Sequence, residues 1–351
     1  MEAILREKTI QQDLIKLITA PLDFRLIGKY KNTLLLHEAH PELSLKGKIM
    51  VLGGSVFFIG SFFWLPLLAW YVWKKKCTTK KKKALALALF LGLIYGPLPR
   101  RDSVRKWKLW DMFASYFGIT VLADGTTPTR GQQYIFAFTP HGVFPFGVAL
   151  AAIGKMNSKV FHNLKVVIAS SIKHMPPIRQ VLESIGAVTA SRPTVERALK
   201  SGDTLGLHPG GIAEMFQGYP SPGFLPHHEA ALLKSHKGFV RLALKNGVDL
   251  VPVYVFGGSK LYKRAASPLL EKLSRLIGAS LMLFWGRWGL PVPFKVPLLF
   301  AMGEPIRVAK VPCPTDAEVD RLHGAFCAAL QRLFEKYKDF YGWHDKILRI
   351  V

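Results

Sequence analysis

The sequence predicts an α/β fold, in which a mixed β-sheet is flanked by helices, preceded by a hydrophobic N-terminal membrane anchor. From about residue 104 onward, short apolar runs of strand character alternate with segments of helical character, which is typical of a buried sheet covered by helices. Further upstream, 25 consecutive residues carry no charge. The chain has 351 residues, 50% of them hydrophobic, so it can build a large core.

We divide the chain into an N-terminal region (1–48), apolar segments with a lysine-rich loop (49–99) and a main folded domain (100–351). The N-terminal region is mixed in charge. Its apolar residues include a short cluster that suits an amphipathic surface helix, formed by Leu14, Ile15, Leu17 and Ile18.

The first apolar run, residues 49–73, is long enough to cross a membrane. As one helix, 25 residues extend about 37 Å, more than the roughly 30 Å of a hydrocarbon core. Trp70, Tyr71 and Trp73 end the run and lysines follow at once, which is the order expected at a headgroup layer. The run starts too far from Met1 to be a removable signal peptide, so we expect it to remain as an anchor.

The second apolar run, residues 84–99, has 16 uncharged residues, which is marginal for a span. It suits a re-entrant or surface-lying segment equally well, and the topology is open. Lysines and arginines from residue 74 to residue 108 flank the two runs, with Asp102 as the only acid. This basic collar should attract anionic lipid headgroups.

The formal net charge of +25 indicates an anionic partner such as a membrane surface, a nucleic acid or a phosphorylated ligand. Nucleic acid is disfavoured, since the lysines adjoin apolar runs and no nucleic-acid motif is present. Cys77, Cys313 and Cys327 are widely spaced and odd in number, which indicates neither a disulfide framework nor a cysteine metal site.

Six apolar runs of the main domain predict strands: residues 134–138, 164–170, 186–190, 204–208, 250–256 and 296–303. Helical patterns fill the intervals at 144–154, 175–184, 194–200 and 229–246. Near the end of the chain, Thr315 and Glu318 have capping-box spacing, and the apolar stripe that follows predicts one long structural helix.

His141 stands in the segment Phe-Thr-Pro-His-Gly, where a predicted strand gives way to a predicted helix. Pro140 and Gly142 favour a tight turn there, which would place the imidazole at a sheet edge beside a helix N-terminus. Such a position lowers imidazole basicity and stabilises a nearby anionic oxygen. Taken alone, an isolated histidine more often has a packing role than a catalytic one.

Two further clusters follow the same design. In residues 207–216, Pro209, Gly210 and Gly211 end a strand run, allow close approach of backbone to a ligand, and precede Glu214. In the third cluster Lys237 and Arg241 lie four residues apart beside Gly238, which suits either a solvated basic face or a phosphate-binding one.

Together these clusters resemble the type-2 diacylglycerol acyltransferase family, which also contains monoacylglycerol and wax-alcohol acyltransferases. The resemblance runs from about residue 49 to the C-terminus. Its motifs are Pro140-His141-Gly142, Pro209-Gly210-Gly211 with Glu214, Lys237-Gly238-Phe239-Val240, residues 251–257 and the ending at 340–351.

The resemblance implies transfer of a fatty acyl group from acyl-CoA to a hydroxyl of a neutral lipid, with residues 100–351 as a glycerolipid-acyltransferase-like catalytic domain. It implies that His141 is the catalytic base and that no cofactor or metal is needed besides the co-substrate acyl-CoA. It also implies a location at the endoplasmic reticulum membrane, with the domain facing the cytosol, and lipid droplets and a homo-oligomer are left open.

Two departures from the family pattern concern His141. The residue before Pro140 is Thr139, where the animal-type motif has a histidine, and Phe146 stands where related glycerophosphate acyltransferases have an aspartate. His141 therefore lacks a carboxylate close by in sequence. We expect Glu214 to orient its ring and to stabilise the imidazolium.

We expect the tetrahedral oxyanion to bind backbone N–H groups near Gly142 or at Gly210 and Gly211. Arg192, Lys237 and Arg241 would hold the phosphates of CoA. Diacylglycerol is the expected acceptor, with monoacylglycerol, fatty alcohols and sterols as alternatives.

Two other classes are considered. A lipid hydrolase would need an activated nucleophile. Ser259 is followed by Lys260 and Leu261, so the second glycine of a Gly-x-Ser-x-Gly nucleophile elbow is missing. A non-enzymatic membrane protein would bind lipids through its basic collar and consume no acyl-CoA. The spacings of His37 with His40 and of His227 with His228 match no common zinc motif.

Overall fold

The computed structural model describes residues 30–40, 42–277 and 281–351. The amphipathic cluster predicted at residues 14–18 lies outside the described residues.

A single eight-stranded mixed sheet forms the centre of the described chain, and two short two-stranded ladders accompany it. The strands are β1 (Thr33–Glu38), β2 (Thr120–Asp124), β3 (Tyr134–Thr139), β4 (Lys165–Ile168), β5 (Val188–Thr189), β6 (Leu205–Leu207), β7 (His228–Ala231), β8 (Asp249–Phe256), β9 (Lys263–Arg264), β10 (Phe284–Trp285), β11 (Leu299–Met302) and β12 (Ile347–Ile350).

The order in the large sheet is β1-β2-β11-β8-β3-β6-β4-β5. The strands from β8 to β5 run parallel to one another, whereas β1 is antiparallel to β2 and β11 is antiparallel to β8. The predicted mixed α/β architecture is therefore confirmed. All six predicted strand segments contain a strand.

Helices cover both faces of this sheet. They are α1 (Leu45–Phe58), α2 (Ser61–Tyr71), α3 (Lys80–Tyr95), α4 (Lys108–Tyr116), α5 (Phe146–Ala151), α6 (Gly154–Lys159), α7 (Ile178–Ser184), α8 (Arg192–Lys200), α9 (Gly211–Glu214), α10 (Gly238–Asn246), α11 (Pro268–Ile277) and α12 (Asp316–Tyr337). Helix α12 begins with the predicted capping box of Thr315 and Glu318.

Strand β3 is buried along its whole length, which explains its continuous apolar sequence. Its side chains alternate between two cores, as the two-residue repeat of a strand requires. Phe136 and Phe138 join the core beneath α1, α4 and α5, whereas Ile135 and Ala137 join the core beneath α8, α10 and α12. This burial fixes where β3 ends and the turn that carries His141 begins.

One predicted helix is wrong over half of its length. The segment 229–246, predicted as one helix, begins with β7, and only Gly238–Asn246 is helical. Strand β7 forms because it pairs in parallel with β12, so that His228 lies opposite Ile347, and a partner so distant in sequence leaves no local pattern. The region 1–48 also contributes β1 to the edge of the large sheet.

The apolar run 49–73 is not the single straight helix that was predicted. Helix α1 ends at Phe58, and two residues later the N–H group of Gly60 donates to the carbonyl oxygen of Ser55 in place of the regular helical partner. Among the described residues, no individual helix has the length and apolar character needed for a membrane crossing. The bent pair 45–58 and 61–76, with an angle of 59° between its parts, meets both requirements jointly.

A buried ionic cluster ties the C-terminal strand to the domain. Glu229 in β7 is 1% exposed, and its Oε1 lies 2.6 Å from Nζ of Lys260 and 3.6 Å from Nζ of Lys346. Its Oε2 accepts a hydrogen bond from the hydroxyl of Ser259 at 2.7 Å. Burial alone would raise the pKa of Glu229, but the two lysines outweigh burial and hold this pKa below its usual value.

Candidate active site

The candidate site forms where two neighbouring parallel strands end at the same edge of the sheet. Strand β3 is followed by Pro140 and His141, and β6, which pairs with it, is followed directly by His208. Because the carboxyl ends of parallel strands meet, the two imidazole rings lie with their centroids 4.9 Å apart.

The turn after β3 requires glycine at position 142. Gly142 has a φ of 65°, a conformation that other residues rarely adopt. A Cβ atom at this position would also lie 2.7 Å from the carbonyl oxygen of Gly258, in the loop that follows β8. This close approach packs the His141 turn against the end of a third strand.

The ring of His141 is oriented by its own turn. Nδ1 lies 2.9 Å from the carbonyl oxygen of Gly142, which can only accept a hydrogen bond. Nδ1 therefore carries the proton of the neutral ring, and Nε2 keeps the lone pair that a base needs. Burial lowers the pKa of His141 to about 4, so the ring is neutral at pH 7.

Glu214 was predicted to contact the imidazole ring of His141. It contacts the backbone of this turn instead. Its Oε2 accepts a hydrogen bond from the backbone N–H of His141, and its Oε1 accepts one from the N–H of Leu232, each at 3.1 Å. Its carboxyl group occupies the space next to Gly210, where a Cβ atom would come within 2.9 Å of Oε2. This packing aims the carboxyl group at the backbone and not at the ring.

Burial raises the pKa of Glu214 to about 8, although the N–H groups of Leu232 and His141 act in the opposite direction. The carboxyl group is therefore mostly protonated at pH 7. Glu214 therefore fixes the position of the His141 backbone but supplies little negative charge to stabilise a protonated imidazole.

An apolar cavity of about 660 Å³ opens beside His141. His208, Gly211 and Ile212 line it near the strand ends, and aliphatic and aromatic side chains line the rest. One wall comes from the bent helices of the apolar run, through Phe58, Ile59, Phe62 and Phe63. The apolar run that was expected to serve as an anchor thus also forms part of the candidate site.

A second and smaller space, of about 310 Å³, lies on the other side of His208, and we call it the basic cleft. Its lining includes Ser191, Arg192, Pro209, Gly238, Arg241 and Lys245. Arg192 pairs with Glu196 at 3.0 Å, and Arg241 contacts Asp316 and donates to the carbonyl of Pro314. The cleft lining thus contains two guanidinium groups, each paired with a carboxylate, and the ammonium group of Lys245.

The predicted site residues thus fall into groups. His141 and Gly211 line the apolar cavity, whereas Arg192, Pro209, Gly238 and Arg241 line the basic cleft. Gly142 and Gly210 allow close packing behind the turn. Lys237 lies outside both linings and pairs with Asp320 at 2.6 Å. The peptide bond between Thr139 and Pro140, directly before His141, is cis.

One expected oxyanion donor is already used. The N–H of Gly211 donates to the carbonyl oxygen of His208 at 3.1 Å, which closes the turn between β6 and α9. This amide is therefore not available to a ligand, contrary to the sequence prediction.

Sequence reasoning missed His208 and Lys245. A signal for His208 was present, since this residue ends the predicted strand 204–208 as His141 follows the predicted strand 134–138. The sequence does not give the order of the strands in the sheet, and this order makes His141 and His208 neighbours.

Ser259 does not have the surroundings of a nucleophile. Its hydroxyl proton is donated to the buried carboxylate of Glu229. Histidine, cysteine, aspartate and glutamate side chains form no group of three or more suited to a metal ion within 30–40, 42–277 and 281–351.

Comparisons with known proteins agree on one family. Residues 95–350 match the family model described as diacylglycerol acyltransferase. Diacylglycerol O-acyltransferase 2 of Xenopus tropicalis is 35% identical over 278 residues, which covers 72% of this chain and 74% of the relative. The human protein of that name is 33% identical, covering 69% and 66%, and that of Dictyostelium discoideum is 32% identical, covering 68% and 76%.

Among solved structures, a 1-acyl-sn-glycerophosphate acyltransferase from Thermotoga maritima aligns with 83% of this chain and 96% of its own. The TM-score is 0.40 and the sequence identity is 13%.

Proposed function

This chain belongs to the diacylglycerol acyltransferase family, and from that premise we propose that it transfers a fatty acyl group from acyl-CoA to the free hydroxyl of diacylglycerol, making triacylglycerol. The observation that supports this proposal most directly is the position of a neutral imidazole, His141, in the wall of a large apolar cavity. Such a cavity suits acyl chains, and the imidazole suits a hydroxyl that must lose a proton.

In the proposed mechanism, Nε2 of His141 takes the proton of the acceptor hydroxyl while its oxygen attacks the thioester carbonyl carbon. The tetrahedral intermediate then collapses, the carbon–sulfur bond breaks, and the thiolate of CoA leaves. The thiolate recovers the proton from the imidazolium, which yields the ester and free CoA. Histidine returns to its starting state without a covalent acyl-enzyme.

The basic cleft would hold CoA. His208, Leu207, Val167 and Ala190 line both the cleft and the cavity, so the two spaces adjoin. A thioester could therefore lie at their junction, with its acyl chain on the apolar side and the phosphates of CoA near Arg192 and Arg241. Lys237, which the sequence analysis included in this group, lies farther from the cleft lining.

We propose that the apolar helices anchor the chain in the endoplasmic reticulum membrane, with the domain in the cytosol. Two observations support this. Helix α3 has no buried residue and exposes Leu85, Leu87 and Leu89, and the lysines that precede it suit a layer of anionic headgroups. The bent pair of α1 and α2 would reach the acyl chains of the bilayer and would open the cavity to lipid substrates.

One experiment tests both the activity and the anchor. Membranes from cells that express the chain are washed with alkaline carbonate and supplied with labelled acyl-CoA and diacylglycerol, monoacylglycerol or a fatty alcohol. We expect the chain to stay in the membrane pellet and labelled triacylglycerol to be the main product. Release of the chain by carbonate would contradict the anchor, and consumption of acyl-CoA without ester formation would indicate a hydrolase.

The proposed role of the cleft predicts a selective defect in Arg241→Gln. Loss of a charge-assisted hydrogen bond to a phosphate should raise the KM for acyl-CoA about tenfold. The KM for acyl-pantetheine, which lacks the nucleotide phosphates, should change little. Lys200→Gln, which removes an exposed positive charge outside the cleft, serves as the control. Equal KM increases for both donors would contradict phosphate binding by Arg241.

A further inference from the structure

His208 is a second histidine at the reacting junction, and its ring has no partner within the protein. Both ring nitrogens are shielded from solvent and make no hydrogen bond. The backbone carbonyl of Phe138 approaches the ring and raises its pKa as a weak hydrogen bond does, but the contact lacks the geometry of a regular hydrogen bond. A buried polar group without a partner costs free energy, so its presence requires an explanation.

The position of the ring indicates what it would contact. His208 lines both the apolar cavity and the basic cleft, and its ring centroid lies 4.9 Å from that of His141. If the acyl chain occupies the cavity and CoA occupies the cleft, the thioester group must lie beside this residue. The missing partner of the ring would then be the substrate itself.

The protonation state of the ring narrows its role. Burial and the neighbouring His141 hold the pKa of His208 well below its usual value, so the ring is neutral. When His141 takes the proton of the acceptor, its new positive charge disfavours a second imidazolium further. At that moment His208 still has one N–H group, which can donate a hydrogen bond without transferring a proton.

We propose that His208 is a catalytic residue whose N–H group donates a hydrogen bond to the thioester carbonyl oxygen and stabilises the oxyanion of the tetrahedral intermediate. This inference rests on the proposed function. His208 would take the role of oxyanion donor that was predicted for the Gly211 amide, because that amide is already hydrogen-bonded to the carbonyl oxygen of His208. The hydrogen bond becomes stronger as the oxygen gains charge, so its main effect is on kcat.

The test compares His208→Leu with His208→Asn and His208→Gln, using palmitoyl-CoA and a diacylglycerol as substrates. Leucine fills space without a donor, whereas the two amides present an N–H group near the former Nδ1 or Nε2. We expect His208→Leu to lower kcat about 10²- to 10³-fold with little change in either KM. At least one amide variant should recover tenfold or more of that loss.

Thermal unfolding separates this role from a structural one. Because leucine removes an unpaired buried polar group, His208→Leu should unfold at the same temperature as the wild type or at a higher one. A lower unfolding temperature that the amide variants restore would overturn the proposal in favour of a structural role. So would a kcat for His208→Leu within threefold of wild type, or amide variants as inactive as the leucine variant.

The controls distinguish this inference from the function on which it rests. If the wild type makes triacylglycerol and His141→Ala does not, a fully active His208→Leu enzyme would refute the oxyanion role of His208 and leave the proposed function standing. A wild type that transfers no acyl group would overturn both proposals.

Discussion

Replacing His141 with alanine is expected to reduce acyl transfer by about 10²- to 10⁴-fold, the usual contribution of a general base. Nε2 is the only ring nitrogen with a free lone pair, because Nδ1 donates to the carbonyl of Gly142. Alanine keeps the backbone N–H that Glu214 accepts, so the turn should persist. Initial rates with labelled acyl-CoA and diacylglycerol, at equal amounts of folded protein, provide the measurement.

Two controls accompany this variant. His344→Ala removes an exposed histidine paired with Asp339 and should leave the rate unchanged. Ser259→Ala should also retain most activity, since its hydroxyl serves a buried carboxylate. Full activity in a well-folded His141→Ala protein would refute the base, and loss of activity only in Ser259→Ala would favour a hydrolase.

The pH dependence of the wild-type rate provides a further check on His141. A histidine with a pKa near its usual value would lose its lone pair below about pH 6.5. Since burial lowers the pKa of His141 to about 4, the base should remain neutral over most of the acidic range. The acid limb of kcat/KM should therefore lie well below pH 6.5, and a midpoint at or above that value would contradict the buried environment.

The largest expected loss of stability comes from Glu229→Leu. This change leaves Lys346, which is 3% exposed, and Lys260 without their buried carboxylate partner. Removing one partner of a buried ion pair typically costs about 3–5 kcal/mol. The unfolding midpoint of the detergent-solubilised protein, followed by circular dichroism, should fall by roughly 4 to 7 °C.

Matched variants show whether the charges are responsible. Glu196→Gln breaks an exposed pair with Arg192 and should leave the midpoint nearly unchanged. Adding Lys346→Met to Glu229→Leu should recover part of the loss, because the second change removes a buried unpaired charge. A Glu229→Leu protein as stable as the wild type would show that water or rearrangement satisfies the lysines.

The sequence predicted the strands and the turn that carries His141 well because both depend on local patterns. The buried strand from Tyr134 to Thr139 is apolar throughout, and Pro140 and Gly142 mark its end. The role of Glu214 was not predictable, because its carboxyl group meets the backbone of His141 only when Gly210 leaves room for it. A spacing of 73 residues carries no information about which atoms touch.

The remaining errors have the same origin. Strand β7 exists because β12 lies beside it, and His208 meets His141 because β6 and β3 are neighbours. The bend at Gly60 depends on which carbonyl the Gly60 N–H reaches. Hydrophobicity alone gives the length of the apolar run but not its path.

That path matters for any attempt to shorten the chain from its N-terminal side. Phe58, Ile59, Phe62 and Phe63 are part of the cavity wall, and Val51 is 1% exposed against the main core. Deletion of the N-terminal residues up to position 64 or beyond would remove these side chains from the cavity wall and expose the apolar surface that they cover. A shortened protein would thus have lost part of the wall of the cavity beside His141.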